Sequence, residues 1–532
     1  MNIGRGIEDS IKRFGEYDSL YFDGKWYTNA EMNRTANQLG NALKRLGITR
    51  GDRVAIQMPN NPAVISGFPA VYKIGGVVVP LSPLLRPDQA AYIYRDSGAR
   101  AVVTNSDFVE RVLEAQRQTP DLEHIVVVDR DDVPGTVSYS SIMSSSSDEL
   151  KIEDMDNDDV AALIYTAGTT GQPKGVMHTH YSLYMNALSF YEYVLIHRSL
   201  TLQAYSRAFD PRTLRTEESR YKVSGVNREM VSLAVLPLSH SFGIAFGNTG
   251  NFVGGKTIML RWWNVEEALK AIQTFRVTQM AAVPTMYAQI LDFPDLNNYD
   301  LGSLDDCQCG AAPLPVEVAR RWRERFGVDI REGWGLTESG AITTGQPGDL
   351  PPRYGSIGKP LLKCTAIRVF DEDDQEVAPG QQGEIVVKGP TLMKGYWNLP
   401  DETALAIRDG WLRTGDIGYV DEDGYFYITA REKDIIIRGG ENVSPVEVKE
   451  ILLQHPAVVE AAVVGVPDPV YGEEVKAFVV VKPDMTADEE QLIVFCKQRL
   501  PSFKSPKKIQ FIDSLPRNLL GKVLRAELRK LG

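Results

Sequence analysis

The stretch AALIYTAGTTGQPKG, residues 161–175, opens as an unbroken apolar run and closes in a loop dense with glycine, threonine and lysine. Residues 161–165 read as a buried strand. Gly168, Gly171 and Gly175 let the following backbone turn tightly and bring its N–H groups against an anion. The adjacent hydroxyls of Thr169 and Thr170 and the ammonium of Lys174 add side-chain donors for phosphate oxygens. A Walker A loop would read G-x-x-x-x-G-K-[ST], and a dinucleotide fingerprint G-x-G-x-x-G. Here Pro173 precedes Lys174 and Gly175 follows it, so neither pattern is met. The loop is a phosphate cradle of another kind.

Working outward, residues 29–46 carry Met32, Ala36, Leu39 and Leu43 at three- and four-residue spacing, one face of an amphipathic helix. Short apolar runs at 54–58, 77–80, 101–104 and 125–128 alternate with helical stretches such as 62–74, the pattern of a parallel α/β sheet. Residues 140–159, with four serines in a row at 144–147, read as a polar surface connection. From Cys364 the pattern turns antiparallel: 367–370 and 384–387 flank DEDDQEVAPGQQ, whose Pro379-Gly380 marks a turn. This acidic run lacks the regular alternation and terminal Glu of an EF-hand and reads as a solvated hairpin. After Arg431 the chain restarts as a small βαβ-like unit, helical at 445–454 and 487–499, with strands at 458–464 and 475–481.

A chain of 532 residues exceeds one hydrophobic core. With 43% hydrophobic and 24% charged residues it has the composition of a globular protein, and a formal charge of -12 argues against broad nucleic-acid binding. Four cysteines form no disulfide framework. Cys307 and Cys309 lack nearby partner ligands at metal-site spacing and read as buried strand residues. No secretory h-region opens the chain and no apolar stretch reaches about 20 residues, so a cytoplasmic protein is expected, with peripheral membrane contact and a homo-oligomer left open.

Further motifs follow in order: GAAPLP at 310–315, GWGLTE at 333–338, WLRTGD at 411–416, ITAREKD at 428–434, RGGEN at 438–442 and PRNLLGK at 516–522. Together with the loop at 165–175 this series resembles the adenylate-forming (AMP-binding) superfamily, and within it the acyl-CoA synthetases, over nearly the whole chain. The resemblance implies an α/β fold: a large N-terminal domain, residues 1–432, of parallel-rich sheets with helices plus a small β-barrel-like part, and a small mobile α+β C-terminal domain, residues 433–532. It also implies the substrates ATP and coenzyme A, with Mg²⁺.

The resemblance assigns ATP or AMP binding to Thr166, Gly168, Thr169, Thr170, Gly171 and Lys174 of the loop and to Gly310, Ala311, Ala312 and Pro313 at the adenine edge. Gly333, Trp334, Gly335 and Thr337 join them, with a planar Trp334 able to cover an adenine face. Asp416 takes the ribose hydroxyls, Ile428 and Arg431 complete the nucleotide site, and Glu338 holds Mg²⁺. The catalytic set is Lys522, His240, Thr337 and Glu338. Lys433 is the hinge, and Gly439, Gly440 and Glu441 belong to the thiol tunnel. Leu520 departs from the pattern, since many relatives carry Ser or Thr there.

The segment LPLSHSFG, residues 236–243, resembles the border of the acyl pocket, so His240, Ser241, Phe242 and Gly243, with Gly310 and Gly335, line it. No Asp falls in 232–236, where amino-acid-activating domains bind an α-amino group. The expected acid is hydrophobic, a medium- or long-chain fatty acid first and an aryl or alicyclic acid next. Residues 198–229 form an unusual insertion with a local charge of +3, read as a surface insertion or as a cap on the acyl entrance. Two alternatives stay open: an adenylation enzyme loading a carrier protein, and a non-catalytic nucleotide sensor on the same fold.

Overall fold

The protein is described by a computed structural model covering all residues except 167–171, 199–229, 246–253, 349, 363, 483–484, 518–522 and 532. Among the described residues the loop-bearing strand Val160–Thr166 lies in an eight-stranded sheet. It runs parallel to Val77–Pro80, which continues in parallel through Arg53–Gln57, Ala99–Thr104, His124–Val127 and Val137–Ser138. Helices Pro62–Lys73, Pro87–Ser97 and Val109–Gln116 supply crossovers, as parallel pairing demands. The all-buried pattern of Val77–Pro80 explains its unalternated Val-Val-Val-Pro: both faces are covered.

A second sheet of nine strands carries Asp18–Phe22, Lys256–Met259, Val231–Ala234, Gln279–Ala282, Asp306–Cys309 and Ile330–Trp334 in parallel, with short antiparallel strands at both edges. Cys307 and Cys309 are buried in its interior, and burial pushes both thiols well above their ordinary range. They serve as small apolar strand residues.

The antiparallel expectation beyond Cys364 is met by Ala366–Phe370 against Gly383–Lys388, continued by Trp411–Val420 and Phe426–Arg431. The acidic turn between the first two strands is organised by Asp371, whose Oδ1 accepts from the backbone of Asp373 and Gln375.

The last 100 residues build their own sheet and apolar cluster, with Val448, Leu452, Val463, Val479 and Leu492 fully buried. The βαβ reading needs a correction there. Val458–Asp468 and Gly472–Val481 form an antiparallel hairpin, and the βαβ unit comes one strand later, where Lys508–Phe511 runs parallel to Gly472–Val481 after helix Glu489–Lys497. Residues 140–159 are also more than a polar connection: helix Tyr139–Ser144 lies there, and Ile152 and Met155 are buried. Among the described residues no helix is long and apolar enough to cross a membrane.

One buried amide couples the two large sheets. Asn60, 5% exposed, donates from Nδ2 to the carbonyls of Leu236 (3.1 Å) and Leu260 (3.2 Å) and accepts from Leu238 N (2.9 Å). It thereby fixes the segment leading to His240. Asn60→Leu leaves three buried backbone groups unpaired, so urea unfolding should show a loss of about 2–4 kcal/mol, well beyond a volume-conserving core change.

Candidate active site

Strand Val160–Thr166 is followed by the antiparallel strand Lys174–Thr179, with Thr166 opposite Lys174. The two strands that flank the glycine-rich segment are therefore direct antiparallel neighbours. Gly168, Thr169, Thr170 and Gly171 themselves lie outside the described residues. The neck of the hairpin is clamped from two directions. Tyr165 Oη donates to Asp96 Oδ2 (2.5 Å), and Trp397 N–H donates to Gly175 O (2.7 Å) while its indole donates to Asp96 O (2.9 Å).

The strand ends on either side of the loop open on a cavity of about 3250 Å³ whose wall includes Thr166, Lys174, His240, Ser241, Phe242, Gly310, Ala311, Ala312 and Pro313. Gly333, Trp334, Gly335, Thr337, Glu338, Asp416, Ile428 and Arg431 line it too. Parallel strands explain this convergence: Asp306–Cys309 and Ile330–Trp334 deliver 310–313 and 335–338 at their carboxyl ends, where open α/β sheets bind ligands. Gly335 is obligatory in packing terms, because a Cβ there would sit 2.3 Å from Ala341 O.

The most constrained group is Asp416, 1% exposed. Trp334 Nε1–H donates to its Oδ2 (2.9 Å), and Arg431 Nε–H donates to its Oδ1 (2.8 Å) from the directly opposed position of the neighbouring strand. Trp334 thus has a polar task besides presenting its ring to the cavity, and it also packs with Val176, Ile357 and Leu412.

On the other side Glu338 Oε1 accepts from Tyr396 Oη (3.0 Å). Burial and the Glu338 charge push the Tyr396 phenol upward, so it stays a donor. Lys174 Nζ meets Glu402 Oε2 at 2.6 Å and lies 5.2 Å from the centre of the Tyr396 ring. Thr337 is fixed by His178, whose Nε2 bonds Thr337 O (2.7 Å) and whose Nδ1 faces Ser182 Oγ (3.1 Å). Ser241 Oγ stands 3.2 Å from Thr337 Oγ1. His240 is half-buried on the cavity wall, its Nδ1 accepting from Phe242 N (3.2 Å), which assigns the proton to Nε2.

Some expected residues are placed elsewhere. Gly243 is packed on Pro237 O, where a Cβ would come within 2.2 Å, and is not part of the cavity wall. Gly439, Gly440 and Glu441 form the exposed turn of a hairpin and do not line the cavity, although the adjacent Asn442 does; Gly439 (φ 60°) and Gly440 (φ 87°) take the left-handed backbone that this turn requires. Lys433 lies in the single turn Glu432–Asp434 that follows Arg431. Lys522 and most of the 198–229 insertion lie outside the described residues.

The structure adds residues that carry no motif of their own. Tyr396, Trp397 and Glu402 reach the site because strand Gly395–Tyr396 pairs with Lys174–Thr179 across more than 200 residues of sequence. Glu332 is buried beside the adenine-edge segment, accepts from Leu314 N (3.1 Å) and is pushed up to about 8 by burial, so it holds its proton at neutral pH. Its signal was present in the sequence as an acid two residues before Trp334.

Comparison with known proteins agrees with this geometry. Residues 7–397 match the AMP-binding enzyme family and residues 447–522 the AMP-binding enzyme C-terminal domain. A long-chain-fatty-acid–CoA ligase of Bacillus subtilis is 36% identical over 98% of this chain and 93% of its own length. A feruloyl-CoA synthase of an Amycolatopsis species is 35% identical over 95% and 94%. The crystal structure of an anthranilate CoA ligase in complex with anthranoyl-AMP superposes with a TM-score of 0.87 at 29% identity, covering 100% of this chain and 97% of that one. The chain belongs to the AMP-binding enzyme family.

Two outcomes follow from the site's construction. Trp334→Phe keeps the packing but takes a donor from a buried carboxylate, and should cost about 1–3 kcal/mol in urea unfolding. Burial holds His178 and His180 down to about 4, below the ordinary 6.5. Native protein then resists protonation that the unfolded chain accepts, so their stabilisation is complete above pH 6.5 and is lost as pH falls from 6.5 to 4. Each costs about 2 kcal/mol at pH 5, and replacing both with glutamine should flatten that part of the stability–pH curve.

Proposed function

We propose that this enzyme activates a hydrophobic carboxylic acid, with medium- or long-chain fatty acids favoured and aryl or alicyclic acids next, using the residues gathered around the cavity. The overall reaction is ATP-dependent formation of an acyl adenylate followed by transfer of the acyl group to the CoA thiol. One observation carries the assignment of parts: the Asp416–Trp334–Arg431 cluster, Glu338, Lys174 and His240 all face a single cavity.

A carboxylate is a poor electrophile, since its charge repels nucleophiles and oxide is a poor leaving group. Attack of its oxygen on the α-phosphorus of ATP forms the acyl–phosphate bond and breaks the bond to the β,γ-phosphates, which leave as pyrophosphate. The protein must position two anions and offset developing charge. Asp416 accepts from the ribose hydroxyls, with Arg431 beside it near ribose and phosphate. The loop at 166–174 holds the β,γ-phosphates, and Lys522 bridges the attacking carboxylate and the α-phosphate. Glu338 offers one carboxylate on the cavity wall, which fits Mg²⁺, an ion that takes one or two carboxylates with phosphate oxygens and water. When bound, the ion supplies charge neutralisation at the phosphates.

For the second step, residues 433–532 turn as a unit about Lys433, withdrawing Lys522 and bringing the exposed Gly439–Gly440 turn to the site. The thiolate then attacks the acyl carbonyl and AMP leaves. His240 stands between the carboxylate site and the path of the thiol. Two chemistries in one site give a short hinge its purpose. The hydrophobic acid is supported by Phe242, which lines the cavity beside His240, and by relatives whose names include a fatty acid and an aryl acid.

Lys522→Ala should abolish acyl-AMP formation by at least about 100-fold, as for loss of a main electrostatic contributor, while thiolysis of supplied acyl-AMP by CoA largely survives. Equal loss of both half-reactions would contradict the division of labour.

A further inference from the structure

The phosphate-loop lysine is already engaged. Lys174 Nζ sits 2.6 Å from Glu402 Oε2, with the lysine side chain 14% exposed and the carboxylate 39% exposed. The pairing is built in by the fold. Strand Gly395–Tyr396 is hydrogen-bonded to Lys174–Thr179, Tyr396 N donates to Thr403 Oγ1 (2.9 Å), and helix Pro400–Ala406 brings Glu402 back over the strand to Lys174. The same short segment holds Glu338, with Met393 N donating to its backbone carbonyl (2.8 Å) and Tyr396 Oη to its carboxylate Oε1. Two carboxylates therefore flank the Tyr396 ring and one ammonium lies over it.

We propose that Glu402 is a counter-charge that parks Lys174 while the site is free of polyphosphate and competes for it with the β,γ-phosphates of ATP and with pyrophosphate. This rests on the assignment of Lys174 to those phosphates. A phosphate oxygen hydrogen-bonded to Nζ would share that nitrogen with a carboxylate at charge-assisted distance, so either the pair opens or two anions crowd one cation. In both cases the negative charge of Glu402 opposes polyphosphate binding. The arrangement lowers the affinity for ATP, and it speeds departure of pyrophosphate, because Glu402 recaptures the ammonium as the product leaves. AMP has no β- or γ-phosphate and is indifferent to Glu402.

The competition has a sign that damage to the fold does not reproduce. Dissociation constants of Mg-ATP, Mg-pyrophosphate and AMP are measured without acid or CoA for wild type, Glu402→Gln, Lys174→Ala and the double variant, with melting curves confirming that each is folded. Glu402→Gln should tighten ATP and pyrophosphate about two- to fivefold, the range for a partly exposed ion pair, and leave AMP unchanged. Lys174→Ala should weaken ATP and pyrophosphate, and in that background Glu402→Gln should have no further effect. Weaker or unchanged ATP binding in Glu402→Gln, or a parallel change for AMP, overturns the inference; weakening that more Mg²⁺ relieves would make Glu402 a metal-side carboxylate instead. If Lys174→Ala leaves ATP and pyrophosphate unaffected, the assignment of the phosphate loop itself fails.

Discussion

A carboxylate with almost no contact with water, Asp416, holds one side of the cavity together. Buried charge is tolerated only with good partners, and Asp416 has two fixed ones: the indole N–H of Trp334 and the guanidinium of Arg431. Trp334 ends a strand of the nine-stranded sheet, whereas Asp416 and Arg431 oppose each other in the antiparallel sheet. The cluster therefore ties the two sheets at the cavity wall. Arg431 is also the last residue before the turn Glu432–Asp434, so the same contact anchors the chain where the C-terminal unit begins.

The opposite side of the cavity follows another logic. There the charges are arranged in compensated sets, Glu338 with the Tyr396 hydroxyl and Lys174 with Glu402. A chain of net charge -12 binds anionic substrates through local devices rather than a basic surface. The clamp of Tyr165, Asp96 and Trp397 at the hairpin neck fixes where those devices stand without supplying charge to the cavity.

Much of this was legible in the sequence. The alternation of apolar runs and amphipathic helices places four parallel strands of the eight-stranded sheet to within two residues, and Val77–Pro80 coincides with its predicted run, whereas Asp18–Phe22 carries no such signal. The ordered motifs from Thr166 to Arg431 lie around one cavity because each follows the carboxyl end of a strand or lies in the adjoining antiparallel pair. What could not be read depends on long-range pairing. Nothing local in NLPDETALA shows that Glu402 reaches Lys174, and nothing in Asn60 shows that it bridges two sheets. The antiparallel pairing of the C-terminal hairpin is not legible because Val458–Asp468 and Gly472–Val481 are buried over most of their length, and apolar runs carry no sign of parallel or antiparallel pairing. For Gly243, the apparent pocket glycine is a packing requirement against Pro237.

The central claim is that one cavity adenylates an acid before any thiol is involved. ATP–pyrophosphate exchange, measured without CoA across a panel of fatty, aryl and amino acids, tests it most directly. Exchange that depends strictly on an added acid, is strongest with uncharged hydrophobic acids and needs no CoA is the expected result. Absence of exchange with every acid, or exchange that proceeds equally well without one, would contradict it.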